Sequence, residues 1–430
     1  MNLPNDFGLE FQTREHIERR QLEWLRAHVL HCRTQSPHYR EALRDMGPLP
    51  TSSLAAALAA LPLTTKQELE ADNAAFCAVP PQAVVDMALS SGTTGRATRI
   101  VYTEHDLRRL AYNEAKALSA CGLGPDDVIL LTCTMDRCFI AGLAYFLGAR
   151  ALGAASLRNG QSSLASHADL LQRMRPSAIV GVPSFINKLG LYLKEQGADP
   201  AATAVRRIVA IGEPLRDREM SLLPIGRAIE SLWGARVYST YASSETITSF
   251  CECSEQNGGH LQADLALVEI LDESQAPLPP GAVGEVTVTP LAVEGMPLLR
   301  FRTGDIGFVQ DEPCPCGRNT VRLGPILGRK AQMLKVRGTT LYPPAILAAL
   351  AEMDGVGECY VSARRSSPLS DEATVHVALR PAAALSAEEI AASLQARLRV
   401  KPQVRIEPEE AVRRVVYNPA YRKPVRFVRE

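Results

Sequence analysis

Residues Ser90-Ser91-Gly92-Thr93-Thr94-Gly95-Arg96 set four hydroxyl side chains, two glycines and a fixed positive charge in one short stretch. Glycine adopts φ > 0 without steric cost and lets the backbone approach a ligand closely. Successive N–H groups in such a turn form a concave nest for an anion, and the hydroxyls add further donors. A polyphosphate is the natural guest. A Ser/Thr/Gly-rich surface loop has a similar composition, but the ordered run of hydroxyls, glycines and a cation is much less common. The stretch does not follow the GxxxxGK[ST] phosphate-loop pattern. The apolar run before it, Val84-Val85-Asp86-Met87-Ala88-Leu89, reads as a buried strand entering the turn.

Three further groups have chemical potential. Tyr241-Ala242-Ser243-Ser244-Glu245 presents a ring, two hydroxyls and a carboxylate. A lone carboxylate beside a triphosphate suits Mg²⁺, which keeps several waters and uses one or two carboxylates; the same residues also suit a helix N-cap followed by an acid. In Arg300-Phe301-Arg302-Thr303-Gly304-Asp305 the carboxylate of a glycine-flanked turn could accept both hydroxyls of a ribose. It could equally close an Asx turn on its own backbone. Lys423 lies among several cations near the C-terminus, where a solvated tail is the plainer reading.

The elements that would carry these groups alternate. Residues 14–46 read as an amphipathic helix, and Thr65 with Glu68 forms a capping-box pattern at the start of another. From residue 99 to about 290, strand-like and helix-like segments take turns, with a helix at Arg216–Leu232 interrupted near Pro224. Such alternation predicts βαβ units and a largely parallel sheet, with ligands bound beyond the carboxyl ends of the strands. The tips Val182-Pro183-Ser184, Gly212-Glu213-Pro214 and Tyr241–Glu245 fall at those ends. Residues 265–309 read as a β-rich subdomain, and those after the joint Gly328-Arg329-Lys330 as a compact α+β unit. The expected fold is therefore α/β: a large N-terminal domain over residues 1–327 and a small, mobile α+β domain over 328–430.

Acidic and basic residues balance at 47 each, and aromatics are sparse at 5%. No overall field or basic stripe draws the chain to nucleic acid. The charged N-terminus and the lack of a long apolar run predict a cytoplasmic protein without a membrane span. Ten cysteines in 430 residues do not make a disulfide scaffold; in a reducing compartment they are free thiols or metal ligands.

Together the motifs SSGTTGR, IGEPL, YASSE, FCECSEQNGGHLQAD, RFRTGD and GRKAQMLKVRGTTLYPPAI, with the terminal Lys423, resemble the adenylate-forming acyl-CoA synthetase superfamily, and within it the phenylacetate–CoA ligase branch. The resemblance runs from about residue 60 to the end. It implies two steps: a carboxylate attacks the α-phosphorus of ATP to give an acyl-adenylate and pyrophosphate, and then a thiol, usually that of CoA, takes the acyl group after the small domain rotates. Ser90, Ser91, Gly92, Thr93, Thr94, Gly95 and Arg96 would hold the β- and γ-phosphates, with Arg96 where the family usually has lysine. Gly212, Glu213 and Pro214 would frame the adenine beside Tyr241. Ser244, standing where threonine is usual, would bond the α-phosphate, Glu245 would bind Mg²⁺, Asp305 the ribose, and Arg329 the nucleotide. Lys423 would reach the carboxylate oxygen and α-phosphate.

By the same analogy Phe139, Ile140, Ala141, Tyr145, Ala210 and Ile211 would line the acid pocket, which favours an aryl or small apolar acid. Cys253, His260, Cys314 and Cys316 would hold a structural Zn²⁺, since three thiolates and an imidazole suit tetrahedral zinc; Cys251 could replace Cys253. Ala331 and Gln332 stand where the family commonly has two aspartates. That departure keeps two alternatives open: loading of a carrier protein or feeding amide formation, and a catalytically silent nucleotide-binding relative. A homodimer is among the expected assemblies.

Overall fold

The computed structural model describes residues 8–90, 98–336, 339–367, 370–398, 400–418 and 424–429. Most of the phosphate-type turn (Ser91, Gly92, Thr93, Thr94, Gly95, Arg96) and Lys423 lie outside the described residues. The chain divides into two compact units: Met1–Thr303 with Gly307–Pro325, and Gly304–Ile306 with Ile326–Glu430.

The first unit opens with helices α1 (Arg14–Gln35), α2 (Pro37–Ala42), α3 (Leu54–Ala59) and α4 (Lys66–Ala71). The single helix expected over 14–46 is broken because Ser36 precedes a proline and is pushed into extended backbone. It closes α1 and caps α2. Thr65 and Glu68 form the expected reciprocal capping box on α4. Next, β1 (Asp86–Leu89) and β2 (Arg99–Tyr102) pair antiparallel as their own ribbon, Leu89 opposite Arg99. The run 84–89 is thus not a buried strand. Only one face of β1 packs, so Val85 and Met87 are more than half exposed while Ala88 is buried, whereas Ile100, Val101 and Tyr102 of β2 are all buried.

Then follow α5 (Glu104–Ala120), β3 (Val128–Leu131), α6 (Ile140–Leu152), β4 (Ala155–Arg158), α7 (Leu164–Met174), β5 (Ala178–Gly181), α8 (Pro183–Glu195), β6 (Arg207–Ile211), α9 (Pro224–Trp233) and β7 (Arg236–Ser243). Strands β4, β3, β5, β6 and β7 are parallel neighbours in that order; the alternation predicted such a sheet, but β4, between two helices, is a strand the sequence did not mark. The sheet then continues antiparallel through β8 (Thr248–Glu252), β9 (Gly259–His260), and the later pair β13 (Val309–Gln310) and β14 (Arg322–Leu323). Gly148 lets α5 and α6 touch: a Cβ there would sit 2.3 Å from the Cβ of Glu114.

The helix expected from Arg216 begins only at Pro224, whose fixed φ suits a first helical position. Arg216 is instead drawn to the buried carboxylate of Glu252 at 2.5 Å. Strands β10 (Ala266–Leu271) and β11 (Gly284–Pro290) pair antiparallel, and β12 (Phe301–Gly307) follows. No helix among the described residues is long and apolar enough to cross a membrane.

In the second unit, the middle of β12 pairs with β15 (Gly328–Arg329), and β16 (Leu334–Val336) with β17 (Thr339–Leu341). A four-stranded sheet is built from β18 (Val356–Ser367), β19 (Ser370–Leu379), β20 (Gln403–Ile406) and β21 (Phe427–Arg429). Its core gathers Ile346 and Leu350 of α10 (Pro343–Ala351) with Ile390 and Leu394 of α11 (Ala387–Leu398) against Val361 and Val375. On the other face Val412 and Val416 of α12 (Glu409–Val416) cover Tyr360.

Candidate active site and metal centre

The carboxyl ends of β6 and β7 carry the first group. Gly212 turns the chain with φ at +76°, a conformation side-chained residues rarely take. Glu213 then accepts from the Ser184 N–H and hydroxyl at 2.9 and 2.7 Å, which ties the β6 end to the start of α8. Pro214 follows directly. Tyr241 lies in β7 opposite Phe250, their rings 6.0 Å apart. Ser243 ends that strand, and its hydroxyl donates to Glu245 at 2.7 Å. The carbonyl of Ser244 accepts from the buried Tyr102 hydroxyl at 3.4 Å. The N-cap reading of these residues is not realised, because β8 rather than a helix follows.

Glu245 is 11% exposed, and its second oxygen stands 3.7 Å from the ammonium of Lys66. A half-enclosed carboxylate is the ligand type that a hard oxygen-seeking ion such as Mg²⁺ takes, one or two at a time, in place of the Lys66 ammonium. The turn after Glu245 is braced from below by Arg109. This fully buried guanidinium donates to the carbonyls of Ile247, Leu265 and Leu291 and to the Thr248 hydroxyl. Burial lowers its pKa to about 10; it stays charged and spends that charge on backbone dipoles.

Ser90 survives at the edge of the phosphate-type turn. Its N–H donates to the Thr98 carbonyl at 2.9 Å and its hydroxyl accepts from the Thr98 N–H at 3.0 Å, so Ser90 clamps the base of the loop. The side chains assigned to an acid pocket fall into three cores. Tyr145, Ala141 and Ile211 share one with Cys133 and Cys251. Ile140 packs with Val101 and Leu267. Ala210 packs with Ile179 and Trp233 on the opposite face of the sheet. Adjacent strand residues point to opposite faces, so the side chains of Ala210 and Ile211 do not line one cavity. Phe139 is the N-cap of α6. Beside Tyr145, burial lifts the Glu114 carboxyl to about 7, a group the sequence did not mark.

In the second unit Asp305 and Arg329 are cross-strand partners, with Arg329 Nε 3.4 Å from Asp305 Oδ1. Asp305 is in a strand rather than an isolated turn. It meets Arg329, the other residue that the resemblance ties to the nucleotide.

Cys253, His260, Cys314 and Cys316 place their ligand atoms within 4.8 Å of one another. The Cys253–Cys314 sulfur distance is 3.7 Å, and Cys316 lies 3.4 Å from His260 Nε2. A Zn–S bond of ~2.3 Å in a tetrahedron puts sulfurs ~3.8 Å apart, so the spacing fits. Thr320 bonds His260 Nδ1 at 3.0 Å and leaves Nε2 toward the sulfurs. Burial pushes His260 down to about 3, which keeps the ring neutral. Burial pushes Cys253 up to about 12 and Cys314 upward. For Cys316 burial is outweighed by hydrogen bonds from the Arg318 backbone and guanidinium, which hold it below the usual thiol value. Cys251 is excluded as the substitute: its sulfur lies 3.3 Å from Cys121 in a separate core.

Sequence reading did not mark Lys66 as functional. A signal was present, since the Thr65 capping box puts Lys66 at the helix end where a cation is disfavoured.

A family model described as AMP-binding enzyme matches residues 22–293 of the chain. The phenylacetate-coenzyme A ligase of Thermus thermophilus is 33% identical over 376 residues, 86% of this chain and 83% of that protein. That of Pseudomonas putida is 29% identical over 380 residues, 86% of this chain and 84% of the other. Among solved structures, 2-hydroxyisobutyryl-CoA ligase in the postadenylation state aligns with a TM-score of 0.86 at 23% identity, over 98% of this chain and 91% of that one. This last likeness is one of fold.

Proposed function

Because the chain belongs to the AMP-binding enzyme family, we propose that the residues at the carboxyl ends of β6 and β7 hold ATP while a carboxylic acid attacks its α-phosphorus. The protein is an AMP-forming acid–CoA ligase: it makes an acyl-adenylate with release of pyrophosphate and passes the acyl group to the thiol of CoA. The observation that carries the assignment to this place is the convergence of Gly212, Glu213, Tyr241 and Glu245 at neighbouring strand ends.

There is little covalent work for side chains in such a step; positioning and charge neutralisation dominate. Gly212–Pro214 and Tyr241 frame the adenine, Ser244 meets the α-phosphate, and Asp305 with Arg329 takes the ribose side. Residues 90–96 receive the β- and γ-phosphates. Glu245 would hold Mg²⁺, which supplies positive charge to the phosphates when bound. Residues 1–327 act as the adenylation domain and 328–430 as the small domain that brings Lys423. The acid is aryl or small and apolar, a choice supported by the apolar surface around Ala141, Tyr145 and Ile211. The test is carboxylate-dependent ATP–pyrophosphate exchange over a panel of aryl and short aliphatic acids, followed by detection of the acyl-CoA. A panel without exchange rejects the assignment; exchange without acyl-CoA, but with acylation of a phosphopantetheinyl protein, moves the acceptor to a carrier protein.

Cys253, His260, Cys314 and Cys316 would hold one Zn²⁺ as a staple between β8–β9 and the loop before β14, with all four positions filled by protein and none open for catalysis. Elemental analysis is expected to find about one zinc per chain. Cys316→Ser should lose it and melt ~5 °C lower, since ligation free energy is folding free energy. Folded, metal-free wild-type protein would remove this role.

A further inference from the structure

The cation facing Glu245 is set in place by buried contacts. The hydroxyl of Thr64 donates to the Leu299 carbonyl at 2.7 Å and lies 2.6 Å from the Tyr39 hydroxyl. Its N–H donates to the Arg300 carbonyl, and its carbonyl accepts from the Arg302 N–H at 2.8 Å. Thr65 then caps α4, so Lys66 starts the helix in a position fixed from both sides. At that end of a helix the backbone dipole disfavours a lysine. Its ammonium, 20% exposed on the side chain, reaches across to Glu245 Oε1 at 3.7 Å. Glu245 is itself held by Ser243. Both partners are thus preorganised, and a cation stands directly beside the carboxylate assigned to Mg²⁺.

We propose that Lys66 is a catalytic residue of the adenylation step: its ammonium binds the polyphosphate of ATP and neutralises the pyrophosphate as it leaves. The inference rests on the function proposed above. In that step a carboxylate oxygen of the acid bonds to the α-phosphorus and the bond from that phosphorus to the bridging oxygen of the β-phosphate breaks. The electron pair stays on the departing pyrophosphate. No proton moves, and Lys66 remains an ammonium throughout. Charge accumulates on the leaving group, which is where a fixed cation lowers the barrier.

A lysine on a flexible four-carbon stem readily trades a carboxylate for a phosphate, whereas a guanidinium is built for a fixed bidentate partner.

Lys66→Met keeps the stem and removes the charge. In ATP–pyrophosphate exchange it should raise KM for ATP and for pyrophosphate about tenfold each and lower kcat about tenfold, with KM for the acid unchanged. Lys66→Arg should restore much of kcat. A second measurement uses the wild type alone: inorganic pyrophosphate with Mg²⁺ should protect Lys66 from acetylation by an N-hydroxysuccinimide ester, read by peptide mass spectrometry. Wild-type KM values for ATP and pyrophosphate in a folded Lys66→Met protein overturn the proposal, as does equal labelling with and without pyrophosphate. The two readings fail separately. Wild-type protein without exchange on any acid rejects the adenylation site itself, while wild-type exchange indifferent to Lys66 rejects only this role.

Discussion

Lys423→Ala will form acyl-adenylate about 100- to 1000-fold more slowly than the wild type, the range expected when one preorganised electrostatic contact to a transition state is removed. The loss should fall on kcat for ATP–pyrophosphate exchange, with KM for ATP changed little. Lys423 is assigned to the attacking carboxylate and the α-phosphate, where charge is redistributed only as the new bond forms. An interaction made only in the transition state appears in kcat. Melting temperature should stay within about 1 °C, so that the loss reads as one of chemistry and not of folding. Thioester formation from supplied acyl-adenylate and CoA should proceed, because the proposed role of the lysine lies in the first half-reaction. Unchanged exchange in the variant would remove Lys423 from its role.

Glu245→Gln should lower adenylation by about 100-fold or more, equivalent to ~2.7 kcal/mol of barrier, and should flatten the dependence of rate on Mg²⁺ concentration. The amide keeps size and can still accept from the Ser243 hydroxyl at the 2.7 Å contact. What it loses is the negative charge opposite Lys66. A neutral amide is a poor ligand for a hard dication that relies on one or two carboxylates. The signature separates the two neighbours: Glu245→Gln shifts the Mg²⁺ response, and Lys66→Met shifts KM for ATP and pyrophosphate. A variant with wild-type rate and wild-type Mg²⁺ response would remove Glu245 from the metal.

Much of the architecture is legible in the sequence. Alternating strands and helices between residues 128 and 243 announced the parallel sheet, because a strand buried on both faces and a helix with one apolar stripe leave different periodicities; the strand at 99–102 joins the antiparallel ribbon instead. The capping box at Thr65 and Glu68 was read directly, since it is a local exchange of hydrogen bonds. The misreadings were places where distant partners decide. Residues 216–223 are irregular because Arg216 is paired with Glu252 across the fold. The run 84–89 has strand composition, but among the described residues it pairs with β2 alone, and Val85, Met87 and Leu89 face water.

The site divides along the same line. Sequence alone suggested candidate chemistry: hydroxyls and glycines for phosphate and one carboxylate for a hard cation. Those are properties of residue types and short spacings, and short spacings are set by covalent geometry. The family resemblance added three thiols and an imidazole for zinc, and Asp305 with Arg329 for the nucleotide, two residues that register sets opposite each other on β12 and β15. Tertiary structure decided what depends on side-chain direction and on distance through space. It chose Cys253 over Cys251, because one thiol packs with Cys314 and the other with Cys121. It turned Ala210 away from Ile211, because neighbouring residues of β6 face opposite sides of the sheet. And it brought Lys66 to Glu245, two residues far apart along the chain, through hydrogen bonds from Thr64 to Tyr39, Leu299, Arg300 and Arg302. Local rules name a residue's chemistry, but packing of long-range contacts determines which residue it meets.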